Sequence, residues 1–535
     1  MREQTLIVSG IRLPIGEREE EAYRLALRRL KGLSLLPKDA RCAVYRRSVD
    51  ARHRDRVSFV YAVAVTGFFS DRVNEISAKD VAPVRAEEPV VTPGQEKLTH
   101  RPVVVGTGPA GLFCAYLLAL HGYRPLVLER GGSVAERERD VARFCEKRIL
   151  NPENNIQFGA GGAGTFSDGK LVCRVNDPMT GWLLKALVRF GAPEEIATQA
   201  KPHIGTDYLR RVVENVITEI VRLGGEIRYR TRLDDVAFDS HGVRAIWASG
   251  EEIPTDVLVL ALGNSARDTF RMLLRRGVMM EAKPISVGVR IEHLQEEIDR
   301  AMYGRFAEDA RLGHAEYHLS YDTAGRGVYT FCMCPGGTVV AAASEEGGVV
   351  VNGMSDHSRS GKNANSAVVV SVKTEDFGND PLRGMEFQRS IEESAFLAGG
   401  KDYAAPVTVL EDFLNGTRGK APTLVKPTYM NGEGICLSSP DQYLPHFAVG
   451  QLQNGIRAFG KQIRGFDAPY AVLTGAETRT SCPLRILRGE ERHAIGHDNL
   501  YPCGEGAGYA GGITSAAIDG LRTAMAIISR YAPLL

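Results

Sequence analysis

The sequence predicts an α/β chain in three parts: a parallel-sheet unit, a β-rich insertion within it, and a small α+β module ahead of it. Three observations carry that expectation. Residues 103–128 run strand, glycine-rich turn, helix, strand, the order of a parallel α/β unit. Residues 257–262 (VLVLAL) are a continuously apolar strand of the kind buried on both faces in a parallel sheet. After a long β-patterned stretch, residues 499–535 repeat strand, glycine-rich turn and helix. At 535 residues the length suits roughly three domains of about 150 residues each.

The elements follow in order. Residues 5–13 read as a strand, and 17–33 as a helix with Ala22, Leu25, Ala26, Leu30 and Leu33 on one stripe. Residues 41–49 and 56–68 are strands around the charged hairpin 50–55, followed by a second helix at 71–79 and a short strand near 80–86. This βαββαβ order predicts a ferredoxin-like domain over 1–95, with 87–97 (EEPVVTPGQEK) as linker. The parallel-sheet unit then occupies 98–279, with a helix at 206–222, a strand at 226–229 and a hairpin-like pair over 236–252. The β-rich insertion takes 280–473, with strands at 285–291, 327–333, 338–344, 349–353 and 367–372 and a helix at 384–399. Residues 474–535 return to the first unit.

Composition narrows the function classes. Lys and Arg total 66 against 65 Asp and Glu, a net charge of +1 that counts against a nucleic-acid or anionic-membrane partner. The start, Met1-Arg2-Glu3-Gln4, has no apolar signal region, and no apolar run is long enough to span a bilayer. Nine scattered cysteines without a CxxC pair argue against a zinc site or a disulfide framework, so the expectation is a reducing cytoplasm and no metal.

The central motif is VVVGTGPAG (103–111), a helix to about His121, then PLVLE (125–129). Gly106 permits the tight turn, Gly108 lets backbone approach a pyrophosphate, and Gly111 lets helix and strand pack closely. Pro109 and Ala110 open the helix whose first amides and positive dipole end bind phosphate oxygens. Glu129, followed by Arg130, stands where an acid accepts hydrogen bonds from ribose hydroxyls. Two other GxGxxG matches, at 159–164 and 506–511, lack the full context of strand, helix and acid. Residues 164–171 (GTFSDGKL) nearly spell a phosphate-binding P-loop. Leu171 stands where a magnesium-binding hydroxyl is needed, which excludes an NTPase. The glycine cluster is therefore expected to press backbone against a ligand through Gly161, Gly162, Ala163, Gly164, Thr165 and Lys170.

Over residues 101–269 and 474–535 these segments resemble the glutathione-reductase-like flavoproteins, in the branch of p-hydroxybenzoate hydroxylase and fumarate reductase. The resemblance implies a split Rossmann-like FAD domain with an inserted β-rich substrate domain. It implies a second cofactor motif in NLYPCGEGAG (499–508), with Gly504, Glu505, Gly511, Gly512 and Ile513 at the cofactor. The superfamily usually has Asp where this chain has Glu505. Leu262 and Gly263 would end a strand beside the cofactor, and Val236 would flank the adenine. The whole chain is similar to a group of uncharacterised bacterial FAD-dependent dehydrogenases. The residues carrying that likeness are SVDAR (48–52), 161–171, TFCMCPGG (330–337), NGMS (352–355) and TRTSCPLRI (478–486).

What this implies is an FAD-dependent oxidoreductase acting on an unidentified small molecule, with NADH or NADPH binding transiently as reductant. Alternatives are a flavin monooxygenase, a flavin-bound redox sensor or binding protein, and an RNA-modifying flavoprotein. Oligomeric state is not fixed by the sequence. Arg479 and Arg485 are candidate clamps for a carboxylate or phosphate on the substrate, with Arg359 a further candidate. Cys332 and Cys334, two apart on a strand, should face one side; they read as a redox pair near the flavin or as buried core. Cys503 reads as core. His203, His314 and His318 are candidate general acids. On a strand, His314-x-Glu316-x-His318 would project both rings to one face.

Overall fold

The computed structural model describes residues 2–70, 73, 78–84, 88–172, 177–240, 242–323 and 325–534. Four strands of the N-terminal module form one antiparallel sheet in the order Lys38–Asp50, Ser58–Phe69, Arg2–Pro14, Val81–Pro83. The helix Glu19–Gly32 buries Ala22, Ala26 and Leu30, three positions of the expected stripe. Ser58–Phe69 alternates buried and half-buried residues, the period-two signature of a strand with one covered face. Of the expected helix at 71–79, residues 71, 72 and 74–77 lie outside the described residues, as do 85–87 between the last strand and the linker.

That linker is docked at its Gly94–Glu96 end. The Gly94 amide donates to the Ile528 carbonyl at 2.8 Å, and the Glu96 amide to that of Arg530 at 3.2 Å, so it is pinned to the C-terminal helix Ile513–Arg530. A Cβ on Gly94 would lie 2.1 Å from the Arg530 carbonyl oxygen.

Five parallel strands form the central sheet, in the order Leu500–Pro502, Leu258–Leu260, Val103–Val105, Leu126–Leu128, Glu226–Arg228. The first four are buried throughout, as apolar runs covered on both faces must be. Helices Pro109–Leu120 and Ile513–Arg530 pack together so closely that a Cβ on Gly520 would lie 2.1 Å from the Ala110 carbonyl oxygen. The helix Thr206–Arg222 matches its expected bounds. The hairpin-like pair proves to be three antiparallel strands, Leu233–Asp239, Gly242–Ala248 and Glu251–Pro254.

The third sheet has seven strands: Ser320–Thr323, Arg326–Cys334, Asn363–Val372, Ile285–Leu294, Val472–Glu477, Ala405–Val409, Ile435–Leu437. All neighbours are antiparallel except the last pair. Val472–Glu477 runs through the boundary expected at 473/474 and belongs to this sheet. Helices Arg383–Ala398 and His446–Gln462 cover it, the second without an expectation from the sequence. No described helix is long and apolar enough to cross a membrane.

Candidate functional site

A cavity of about 570 Å³ opens where the parallel sheet meets the seven-stranded one. One wall comes from the first glycine turn and the ends of the neighbouring strands: 105–110, 128–130 and 261–266. The floor is 162–164 and 167–170, and Glu505 and 511–513 close one end. The opposite wall is built by the seven-stranded sheet and its approaches: 316–318, 330–333, Asn352, Glu477, Arg479 and Thr480.

The turn has the strain its sequence implies. Gly106 adopts φ 103°, and a Cβ there would lie 2.3 Å from the Ala261 carbonyl oxygen of the next strand. Gly111 lies behind the turn rather than on the cavity, against the Gly106 carbonyl, where a Cβ would come within 1.9 Å. Gly108 caps the helix Pro109–Leu120, and no atom lies within 4 Å of its virtual Cβ. The positive end of that helix therefore faces open cavity.

Glu129 lines the cavity, but its carboxylate is already an anchor. Oε2 accepts the Thr107 amide at 3.1 Å and the Thr107 hydroxyl at 2.5 Å; Oε1 accepts the amides of Gly131 and Gly159, each at 2.9 Å. A ribose hydroxyl would share this carboxylate with the chain. Arg130 stacks 4.0 Å over the Phe158 ring and is held by Glu153 and Asp268.

The glycine loop is organised by a residue the sequence did not single out. Arg137, fully buried, donates to the carbonyls of Asn155 (2.7 Å), Ile156 (2.6 Å), Ala160 (2.8 Å) and Gly162 (2.8 Å). Burial pushes this guanidinium down to about 9, opposed by the nearby Glu129 charge. In sequence it sits in the run ERERD, which reads as a solvated helix face, so no local signal marks it. Gly162 holds φ 62°, ψ −165° beside the first turn.

Other expected residues divide as follows. Gly106, Gly108, Pro109, Ala110, Glu129, Arg130, Gly162, Ala163, Gly164, Lys170, Leu262, Gly263, Glu505, Gly511, Gly512, Ile513 and Arg479 line the cavity. Gly161 and Thr165 stand behind its floor: the Gly161 amide donates to the Thr107 hydroxyl, and the Thr165 hydroxyl to the Ala160 carbonyl. Gly504 likewise supports from behind, its amide donating to Asp519 at 2.8 Å. Val236 is fully buried inside the three-stranded sheet, and Thr231, Arg232 and Leu233 line the cavity instead. Arg485 points away, pairing with Glu281 at 3.1 Å and lying over Tyr509. Arg479 reaches the cavity edge, but its guanidinium grips Glu392 at 3.0 Å together with Ser344. Arg267 holds the same carboxylate.

Two of the candidate histidines lie elsewhere. His203 stacks on His357, their centroids 5.0 Å apart, and His314 pairs with Asp299 at 2.8 Å. Residues 314–318 form no strand, which removes the reason for both rings of the HxExH stretch to share a face. His318 lines the cavity. Among the described residues no group of three or more His, Cys, Asp or Glu is placed to hold a metal.

Charged groups concentrate on the cavity floor. Asp168 is buried and would be raised by that alone, but Arg359, bidentate at 3.0 and 2.5 Å, and Lys170 hold it below the carboxylate range. Arg359 also grips Glu316 at 2.7 Å, tying floor to opposite wall. At the far end burial pushes Glu505 up to about 7, against a 2.9 Å hydrogen bond from Asn264. The open helix terminus, the acid at the strand end and the second glycine turn fit a dinucleotide, and the volume lies within the 300–1,000 Å³ typical of cofactor sites.

Comparison with known proteins gives a family model for the C-terminal domain-like region of FAD-dependent proteins over residues 284–480. A second model, for NAD(P)-binding Rossmann-like domains, matches residues 104–147. An uncharacterised protein of Clostridium beijerinckii is 45% identical over 511 residues, covering 94% of this chain and 95% of its own. Among solved structures, CtdE in complex with FAD aligns at a TM-score of 0.33 and 10% identity, over 80% of this chain and 82% of its own. The flavin-dependent brominase Bmp2 aligns at 0.37 and 13%, over 80% and 78%.

Proposed function

The chain belongs to a family of FAD-dependent proteins, and on that premise we propose that it is an oxidoreductase passing hydride between FAD and an unidentified small molecule. In this reading residues 98–279 and the part of 474–535 beyond residue 480 hold the cofactor, 280–473 together with 474–480 supply the substrate wall, and 1–95 form a ferredoxin-like module. The observation that carries it is the single cavity in which the turn at 106–111, the motif at 505–513 and the wall at 330–333 meet.

Amides opening Pro109–Leu120 would hold the pyrophosphate, with Glu129 and Arg130 at the ribose and adenine end. Glu505 would hydrogen-bond the ribityl chain, and the backbone at 162–164 and 511–513 would lie against the ring system. FAD, when bound, supplies the hydride or electron transfer itself. The chain orients the partners and excludes water: the Arg359 bridge from Asp168 to Glu316 closes the floor against the opposite wall. NADH or NADPH would enter the same cavity transiently, in a chain that works in the cytoplasm with no membrane or nucleic-acid partner.

The test is direct. Purified protein should be yellow and release FAD, not FMN or NAD, on denaturation, and anaerobic NADH or NADPH should bleach the flavin. A colourless protein that FAD cannot reconstitute would sink the reading. Substrate-dependent oxygen consumption would replace the dehydrogenase with a monooxygenase.

A further inference from the structure

The seven-stranded sheet has a defect where it meets the cavity. Between Phe331 and Cys334 the register of Arg326–Cys334 against Asn363–Val372 slips, and Cys332 takes φ 45°. A non-glycine residue enters that left-handed region only under strain. In a plain strand both cysteines would face one side. The bulge instead places Cys332 in the cavity wall and seals Cys334 beneath it, fully buried, its Sγ 3.3 Å from the Cys332 carbonyl oxygen.

The surroundings of the two thiols differ. Arg290, fully buried, brings Nη1 within 3.2 Å of the Cys332 carbonyl and 3.9 Å of Cys334 Sγ, and Lys170 donates to the Met333 carbonyl between them. Hydrogen bonding from Cys334, helped by the Arg290 and Lys170 charges, draws the Cys332 thiol below its usual range. Cys334 is driven well above it, first by the same contact and then by burial. Asn365, opposite Cys334 in the ladder, carries a buried side-chain nitrogen with no partner among the described residues. A Cβ on Gly337 would lie 3.0 Å from Cys334 Cβ and 3.1 Å from that nitrogen, which places the spare donor beside the buried thiol. One thiol drawn down on the cavity wall next to one driven up and sealed beneath it is the asymmetry that thiol–disulfide chemistry uses.

We propose that Cys332 and Cys334 are a dithiol–disulfide pair that exchanges electrons with the flavin. The inference rests on the reading of this cavity as an FAD site. In the oxidising direction the two S–H bonds are lost and one S–S bond forms. The two electrons and two protons released reduce FAD to FADH2; in reverse, FADH2 cleaves the disulfide. Cys332 faces the cofactor, and Cys334 resolves the bond.

The test uses the FAD-loaded full chain. Air-oxidised protein is denatured, alkylated and digested, and the peptide carrying residues 332 and 334 is weighed before and after reduction. In parallel, wild type, Cys332→Ser and Cys334→Ser are titrated anaerobically with dithionite. The expected results are a bridged peptide in oxidised wild type, and an electron uptake per flavin about twice that of either variant. Two alkylated thiols in oxidised, FAD-loaded wild type overturn the pair, as does equal electron uptake by all three proteins, while leaving the FAD reading standing. A preparation that holds no FAD overturns that reading and the flavin link with it. The peptide measurement on wild type decides the pair even if a variant fails to fold.

Discussion

Glu129 lines the cavity and at the same time holds the fold around it. Three backbone amides, from Thr107, Gly131 and Gly159, converge on it together with one hydroxyl. Glu129→Ala leaves those amides buried without an acceptor, at about 1–3 kcal/mol for each group left unsatisfied. The apo variant should therefore lose roughly 3–9 kcal/mol of stability if all three stay unpaired, as well as its FAD. Glu129→Gln keeps the shape but turns an amide NH2 toward incoming donors, and should fall between the two. Thermal melts of the apo forms, with FAD titrations, check this. Wild-type melting of apo Glu129→Ala would show that the loop stands without its anchor. From sequence alone this acid was legible as a candidate ribose ligand, because motif spacing fixes its place at the strand end, where it lines the cavity. Its second task was not legible, since the amides it collects come from three separate turns that only the fold brings together.

Elements were legible where burial is uniform and illegible where a local irregularity re-aims the chain. The apolar strands at 103–105 and 258–260 and the helix Thr206–Arg222 follow from hydrophobic period alone. The bulge at 331–334 depends on the cross-strand register with Asn363–Val372, which no window of the sequence contains, so the two cysteines end in different environments. Arg137 was hidden for a related reason, its acceptors being carbonyls of a loop whose path is set elsewhere. The glycine loop itself yields a sharp expectation. Gly162 occupies a φ/ψ region that is essentially glycine-only, and its Cβ would lie 2.9 Å from Gly108 Cα in the dinucleotide turn. Gly162→Ala should thus cost the apo protein about 2 kcal/mol and also lower flavin occupancy, because the clash falls on the turn that lines the cavity. Absorbance and melting of apo and holo forms read both properties. Full occupancy with unchanged melting would remove the loop from the site.

Across the whole molecule, the N-terminal module is not a free bead. Its core runs into that of the seven-stranded sheet, and Arg47 pairs with the chain at 198–200 through two backbone hydrogen bonds of 2.7 and 2.9 Å. Deleting residues 1–97 would bare apolar surface on the remainder and release the terminal helix from Gly94 and Glu96. The truncated protein should aggregate or bind a hydrophobic dye, as size-exclusion chromatography and dye fluorescence would show. A monodisperse, yellow remainder would establish the module as separable. Another long reach involves residues 499–502. Leu500–Pro502 completes the parallel sheet against Leu258–Leu260, and Asn499 bonds the Asp256 carbonyl across 243 residues of sequence. On a ribosome making about 5–20 residues per second, that edge stays open from the emergence of 258–260 until 500–502 follow. A nascent chain therefore cannot finish this sheet early, and a product cut short before residue 500 lacks the strand that completes it. Quality-control proteases would meet such a product with its apolar edge exposed, so the place of that strand makes synthesis through residue 502 a condition of survival.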